Sequence, residues 1–179
     1  MNDPANNLTK QSHPVLWTAI AVLIVLAAYA NFMIRRGFSA KAEPSGAEKF
    51  IARTMRNLAI PSSAKNEQNP LAASAQNVHD GMEHFADHCA GCHANDGSGK
   101  SDIGPNLYPK PPDMRQPETQ NLTDGELYYT IANGVRLSAM PASDHSPEDN
   151  WKLVLFIRHL PNLTPAEEKE MEQLNPTHE

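Results

Sequence analysis

The chain has 179 residues, 40% hydrophobic and 6% aromatic, with a formal charge of −6. That length leaves room for one compact domain plus extensions, and the acidic balance excludes nucleic acid as an expected partner. Prolines outnumber glycines by 15 to 9, which predicts many loops and helix starts, and the two cysteines leave no thiol for a structural disulfide outside one short motif.

Residues 1–14 read as a polar tail. Residues 15–34 (VLWTAIAVLIVLAAYANFMI) carry no charge and are long enough as a helix to span a bilayer. Trp17 and Tyr29 lie towards the two ends, where aromatic belts form, and Arg35-Arg36 stop the run. A cleaved signal peptide competes with this reading, because Ala28-Tyr29-Ala30 fits an A-x-A site. The run continues past that site through Phe32-Met33-Ile34, and its length favours a retained anchor.

Residues 35–76 read as a spacer. Ser45-Gly46-Ala47-Glu48 is a capping box. Ile51, Met55 and Leu58 follow at helical spacing, so an amphipathic helix is expected over 46–59, with Pro61 ending it. It is expected to lie on the following domain, on the membrane surface or on a partner. Residues 61–76 (PSSAKNEQNPLAASAQ) read as linker.

The next unit begins near Asn77. Val78, Met82, Phe85 and Cys89 recur at helical spacing and lead into Cys89-Ala90-Gly91-Cys92-His93. Gly81 within that helix costs about 1 kcal/mol relative to alanine, which a close packing contact would explain. C-x-x-C-H is the attachment signature of a c-type haem. Two thiols three positions apart can each add to a vinyl group on one porphyrin edge, and the histidine can give its imidazole to the iron. A disulfide, a redox-active dithiol and a zinc site recruiting His84 or His88 are the alternatives. The dithiol needs a βαβ context and structural zinc needs a second, distant ligand pair; neither is visible.

Residues 94–122 are rich in Pro, Gly, Asp and Asn. A loop this long is unusual in a small domain and makes sense around a large prosthetic group. Thr123-Asp124-Gly125-Glu126 is a second capping box, opening a helix that ends near Gly134. A loop through Met140-Pro141 follows. Ser146-Pro147 starts a helix with proline at its first position, carrying Trp151, Leu153, Val154, Phe156 and Ile157 to Pro161. Thr164 caps a last helix to about Leu174, within the C-terminal segment 162–179. The pattern is all-α. His79, His84 and His88 read as solvated, and Asp96, Asp102 and Asp113 as surface charges.

Three spaced motifs carry a family resemblance: Gly81-x-x-x-Phe85-x-x-x-Cys89-x-x-Cys92-His93, Gly104-Pro105-x-Leu107 and Met140-Pro141. Over residues 77–161 the chain resembles a class I cytochrome c domain. As a whole it is similar to membrane-anchored monohaem cytochromes of bacteria. The resemblance implies one covalent haem c with its iron, His93 as proximal ligand and Met140 as distal ligand. It implies that the Pro105 carbonyl accepts the other N–H of His93 and that Leu107 presses on the haem face. It also implies that Gly81 and Phe85 cross the last domain helix near Leu153 and Phe156. Met114, His145 and His159 compete with Met140 for the second axial position; Met82 reads as packing.

The implied function is one-electron transfer between respiratory donor and acceptor proteins, in a carrier that is not itself an enzyme and has no small-molecule substrate. Two rivals are a haem with an open sixth site, acting in catalysis or gas sensing, and a structural subunit of a larger respiratory complex. The expected location is the bacterial cytoplasmic membrane, anchored by residues 15–34, with the haem on the periplasmic side. The charge bias opposes this, since Arg35, Arg36, Lys41, Lys49 and Arg53 follow the helix and only Lys10 precedes it. The requirement for haem attachment outside the cytoplasm outweighs that statistical preference, and the arginines are expected to meet lipid phosphates.

Overall fold

Residues 5–175 are described by a computed structural model, with side chains from residue 14 onward. There is no β-strand among them. The chain divides after Ser39 into two units.

The first unit is helix α1, Ala5–Arg36. It begins at Ala5, so polar residues assigned to a tail continue the helix ahead of the apolar run; residues 1–4 lie outside the described part. Pro14 sits inside it, and Thr18 Oγ1 donates to the Pro14 carbonyl at 2.7 Å. The stretch Pro14–Arg36 is long and apolar enough to cross a membrane. Most of its large side chains from Val15 to Ile34 are exposed, with Ile20 and Met33 half-buried.

The second unit opens with α2, Gly46–Ala59. Its capping box forms: Glu48 N–H donates to Ser45 Oγ, and Ser45 N–H donates to Glu48 Oε2 at 2.6 Å. The arginine side of α2 faces the helical domain. Arg53 Nη1 pairs with Glu118 Oε1 at 3.0 Å, and burial pulls the Arg56 guanidinium below its ordinary pKa. Phe50, Ile51, Met55 and Leu58 are exposed on the helix.

The stretch read as linker is packed. Helix α3, Ser62–Lys65, lies against α7, Asp124–Asn133. Thr123 Oγ1 donates to the Lys65 carbonyl at 2.8 Å, and Gly125 leaves room for the Ala64 carbonyl. Further along, Asn69 Nδ2 donates to the Trp151 carbonyl at 3.0 Å.

The core forms where α4, Ala75–His88, crosses α8, Pro147–His159. Both helices are capped by a serine, Ser74 and Ser146, each satisfying backbone donors that a helix start leaves open. A Cβ on Gly81 would collide with the Lys152 carbonyl and stand 3.1 Å from Phe156 Cβ. The missing side chain therefore sets the crossing distance. One helical turn on, the Phe85 and Phe156 rings meet with centroids 5.2 Å apart, tilted by 57°, an arrangement aromatic pairs favour. Met82, Leu153, Val154, Ile157 and Leu160 belong to the same buried cluster. Met114, a competitor for the second axial position, is also part of it.

Helix α8 is tied by Arg158 to the turn between the short helix α6, Pro117–Gln120, and α7. Its guanidinium donates to the Gln120 carbonyl at 2.6 Å, to the Leu122 carbonyl and to Asp124 Oδ1 at 2.9 Å. The last helix, α9, Pro165–Leu174, packs on α4 and buries Met171 completely. His79 Nε2 lies 2.9 Å from Oε1 of Glu170 on that helix, and its side chain stays 40% exposed.

Candidate functional site: the Cys89–His93 turn and the loop around it

Helix α4 ends at His88 and passes directly into the short helix α5, Ala90–His93. Cys89 N–H donates to the Phe85 carbonyl at 2.9 Å, and His93 N–H donates to the Cys89 carbonyl at 2.9 Å. The motif thus sits on one turn, built from adjacent residues, and Ala90 anchors it in the core. Neither cysteine is in a disulfide. Burial pushes the Cys89 thiol up to about 11.

A single hydroxyl joins the loop to this turn. Ser101 Oγ lies 2.7 Å from the Gly91 carbonyl and 3.1 Å from that of Cys92, and accepts from Gly104 N–H at 2.9 Å. Gly99 N–H donates to the His93 carbonyl at 2.7 Å. A Cβ on Gly104 would stand 2.6 Å from the Cys92 carbonyl oxygen, so a bare residue is required where Gly104-Pro105 meets the motif. Pro105 lies in a 3₁₀ turn, Gly104–Asn106, and the half-buried Leu107 closes it by donating to the Gly104 carbonyl at 3.1 Å.

Asp96 and Asp113 are not isolated surface charges. Arg115 bridges them, with Nη1 to Asp96 Oδ2 at 2.7 Å and Nε to Asp113 Oδ1 at 2.9 Å. The guanidinium holds the Asp113 carboxyl at about 2, below its ordinary 3.8. Met114 N–H donates to the Gly97 carbonyl at 2.8 Å. The two ends of the long loop are therefore clasped together. Ser101 and Arg115 were not singled out from sequence. The Asp-x-Arg spacing at 113–115 is the one local signal for the clasp; the Ser101 bonds have none.

His93 Nδ1 is buried without a hydrogen-bond partner, and burial lowers the ring's pKa to about 4. The bond expected from His93 to the Pro105 carbonyl is not formed. That carbonyl accepts from Lys110 Nζ at 2.6 Å. A buried polar atom without a partner costs about 1–3 kcal/mol and calls for a reason. A neutral imidazole beside two thiols on one turn fits a covalently attached haem, whose iron needs an unprotonated ring nitrogen.

Met140 stands on a separate segment, the loop after α7. Val135 N–H donates to its carbonyl at 3.1 Å, and its own N–H donates to Ser138 Oγ at 3.1 Å. Gly134, at φ +65°, lies under this strand of loop: a Cβ there would stand 2.6–2.8 Å from backbone atoms of Met140, Pro141 and Ala142. The two histidine competitors have other partners nearby. His159 Nε2 lies 2.9 Å from Glu167 Oε1, and the His145 ring lies against His88, tilted by 48° with centroids 4.2 Å apart.

Residues 76–157 match the family model described as Cytochrome C oxidase, cbb3-type, subunit III. The described residues, helices and loops alone, thus have one apolar N-terminal helix followed by a segment similar to that oxidase subunit's cytochrome c domain and consistent with a class I monohaem cytochrome c. The domain implies covalently bound c-type haem with iron, in a c-type cytochrome of electron transfer. No curated protein matches the chain.

Proposed function

We propose that the chain is a membrane-tethered carrier of single electrons, with helix 15–34 as anchor and residues 77–161 as the haem domain on the periplasmic face of a bacterial cytoplasmic membrane. Its partners are a respiratory donor protein and an acceptor protein. One observation carries this reading: Cys89, Cys92 and the largely buried His93 share a single helical turn within the segment matched to the cytochrome c family.

The roles follow residue by residue. Cys89 and Cys92 would hold the haem as thioethers, and His93 would give its imidazole to the iron. Met140 would supply the second ligand, supported by its competitors' other engagements: Met114 packs in the core and His159 faces Glu167. Leu107 would lie against the haem, and Pro105 borders the motif. When bound, the haem iron supplies the one-electron couple, and an imidazole–thioether pair favours its ferrous state. The chain supplies rigidity: the Ser101 bonds and the Arg115 clasp fix the loop, so little rearrangement accompanies a change of charge.

The exposed apolar side of α2 favours a second reading, in which the chain is a fixed subunit of a respiratory complex. Mild detergent extraction followed by native electrophoresis with haem staining separates the two. A carrier runs alone, and a subunit migrates with a larger assembly.

The test of the ligand set is an optical spectrum of the oxidised protein and of Met140→Ala. A weak charge-transfer band near 695 nm, a general mark of methionine–iron(III) ligation, is expected and should vanish in the variant. A high-spin reduced spectrum that shifts with carbon monoxide would instead mean an open sixth site and would overturn the carrier reading.

A further inference from the structure

We propose that His84, His88 and His145 form a binding site for a divalent transition-metal ion of the zinc or copper(II) type, separate from the haem iron. The proposal rests on how the fold assembles three imidazoles that sequence leaves apart. His84 and His88 lie four residues apart on α4, so they share one face of the helix. His145 comes from the loop before α8, some 57 positions beyond His88 by their numbers.

That loop is pinned where it delivers His145. Ser143 N–H donates to the Ile131 carbonyl at 3.0 Å. Ser143 Oγ donates to Oδ1 of the buried Asn150 at 2.7 Å, and accepts from His145 N–H at 3.2 Å. One potential ligand nitrogen from each ring lies within 4.8 Å of the other two. The ring centroids are 4.2 Å apart for His88 and His145, 5.4 Å for His84 and His145, and 6.2 Å for His84 and His88.

A zinc–nitrogen bond of about 2.0–2.1 Å puts tetrahedral ligand nitrogens about 3.4 Å apart, so small side-chain rotations close the site. A carboxylate already stands behind it. Asp149 Oδ1 is 3.2 Å from His84 Nε2, and Asp149 Oδ2 accepts from Ser146 Oγ at 2.7 Å. Carboxylates in that position orient metal-binding histidines and raise their basicity. His84 and His145 are half-buried and His88 is exposed, so the ion has both a fixed base and a path from solvent.

Three imidazoles select zinc, copper or nickel over magnesium and calcium, which prefer oxygen. Three protein ligands with a fourth position left to water is a familiar zinc arrangement. A second cluster, His79, Asp80 and Glu83, serves as the internal control, because it offers one imidazole where the proposed site offers three.

The experiment uses the full-length haem-loaded protein in detergent, with any affinity tag removed. Zinc chloride is titrated in competition with a chromophoric chelator, and bound zinc is counted against haem iron by elemental analysis after gel filtration. About one zinc per haem is expected. His88→Gln and His145→Gln should each weaken binding by about 100-fold or more, with haem spectrum and melting temperature kept as folding controls, while His79→Gln binds as wild type. Copper(II) in place of zinc should give an electron paramagnetic resonance spectrum with nitrogen hyperfine structure. Absence of binding at micromolar free zinc overturns the proposal. So does affinity unchanged in both variants, or loss of binding in His79→Gln alone.

Discussion

Gly81 stands directly against the main-chain carbonyl of Lys152. An added methyl group there meets backbone, which cannot rotate away, so α4 and α8 must separate. Overpacking of a core costs about 1–3 kcal/mol, and this site belongs at the upper end because the Phe85–Phe156 pair lies one turn away. Gly81→Ala should lower the unfolding free energy by that amount, seen as a lower urea midpoint at unchanged slope. A midpoint within error of wild type would show that the crossing is slack.

Ser101 is the second test. Its hydroxyl serves two carbonyls of the Cys89–His93 turn and the Gly104 N–H. Ser101→Ala leaves a backbone donor and two acceptors to find other partners, for a loss of about 1–3 kcal/mol. Amide hydrogen exchange at Gly104 should accelerate in the variant. Unchanged exchange would mean the hydroxyl is dispensable.

The Arg115 clasp gives a pH dependence with a definite sign. The Asp113 carboxyl is held at about 2 against an ordinary 3.8, chiefly by its hydrogen bond to Arg115. The pair stabilises the fold fully above the ordinary value, and its contribution is lost as pH falls from about 4 through 2. Wild type should therefore lose melting temperature across that window more steeply than Asp113→Asn. Parallel curves for the two proteins would refute the assignment.

Small domains need staples beyond their own core, and a haem held covalently by Cys89 and Cys92 would be one. Cys92→Ser, expressed with the haem-attachment machinery, should melt broadly and at lower temperature. A cooperative melt near the wild-type temperature would mean that the polypeptide core suffices.

The helices were legible because their caps are written locally: Ser45, Thr123 and Thr164 each form the expected capping box. The family was legible because the C-x-x-C-H turn is made of neighbours in sequence. What escaped was carried by backbone. The segment 61–76 reads as linker since α3 packs through the Ala64 carbonyl onto Gly125, a contact with no apolar periodicity. The Lys110–Pro105 bond was missed because a lysine in a polar loop reads as solvated. The meeting of His145 with His84 and His88 depends on loop hydrogen bonds that spacing alone does not show.

The Cys89–His93 turn also has a temporal side. Its bonds run between residues 85 and 104, whereas the core that encloses it needs α8, from Pro147 onward. Closing the larger loop comes at a greater entropic cost and slows the search. The thiols are thus presented by a segment whose own bonds are all local, and this segment is expected to form before the larger loop closes. Maturation can attach the prosthetic group to a half-finished protein and let the remaining helices close around it. A chain truncated before Pro147 should still acquire covalent haem, detectable by its mass, though it could not shield it.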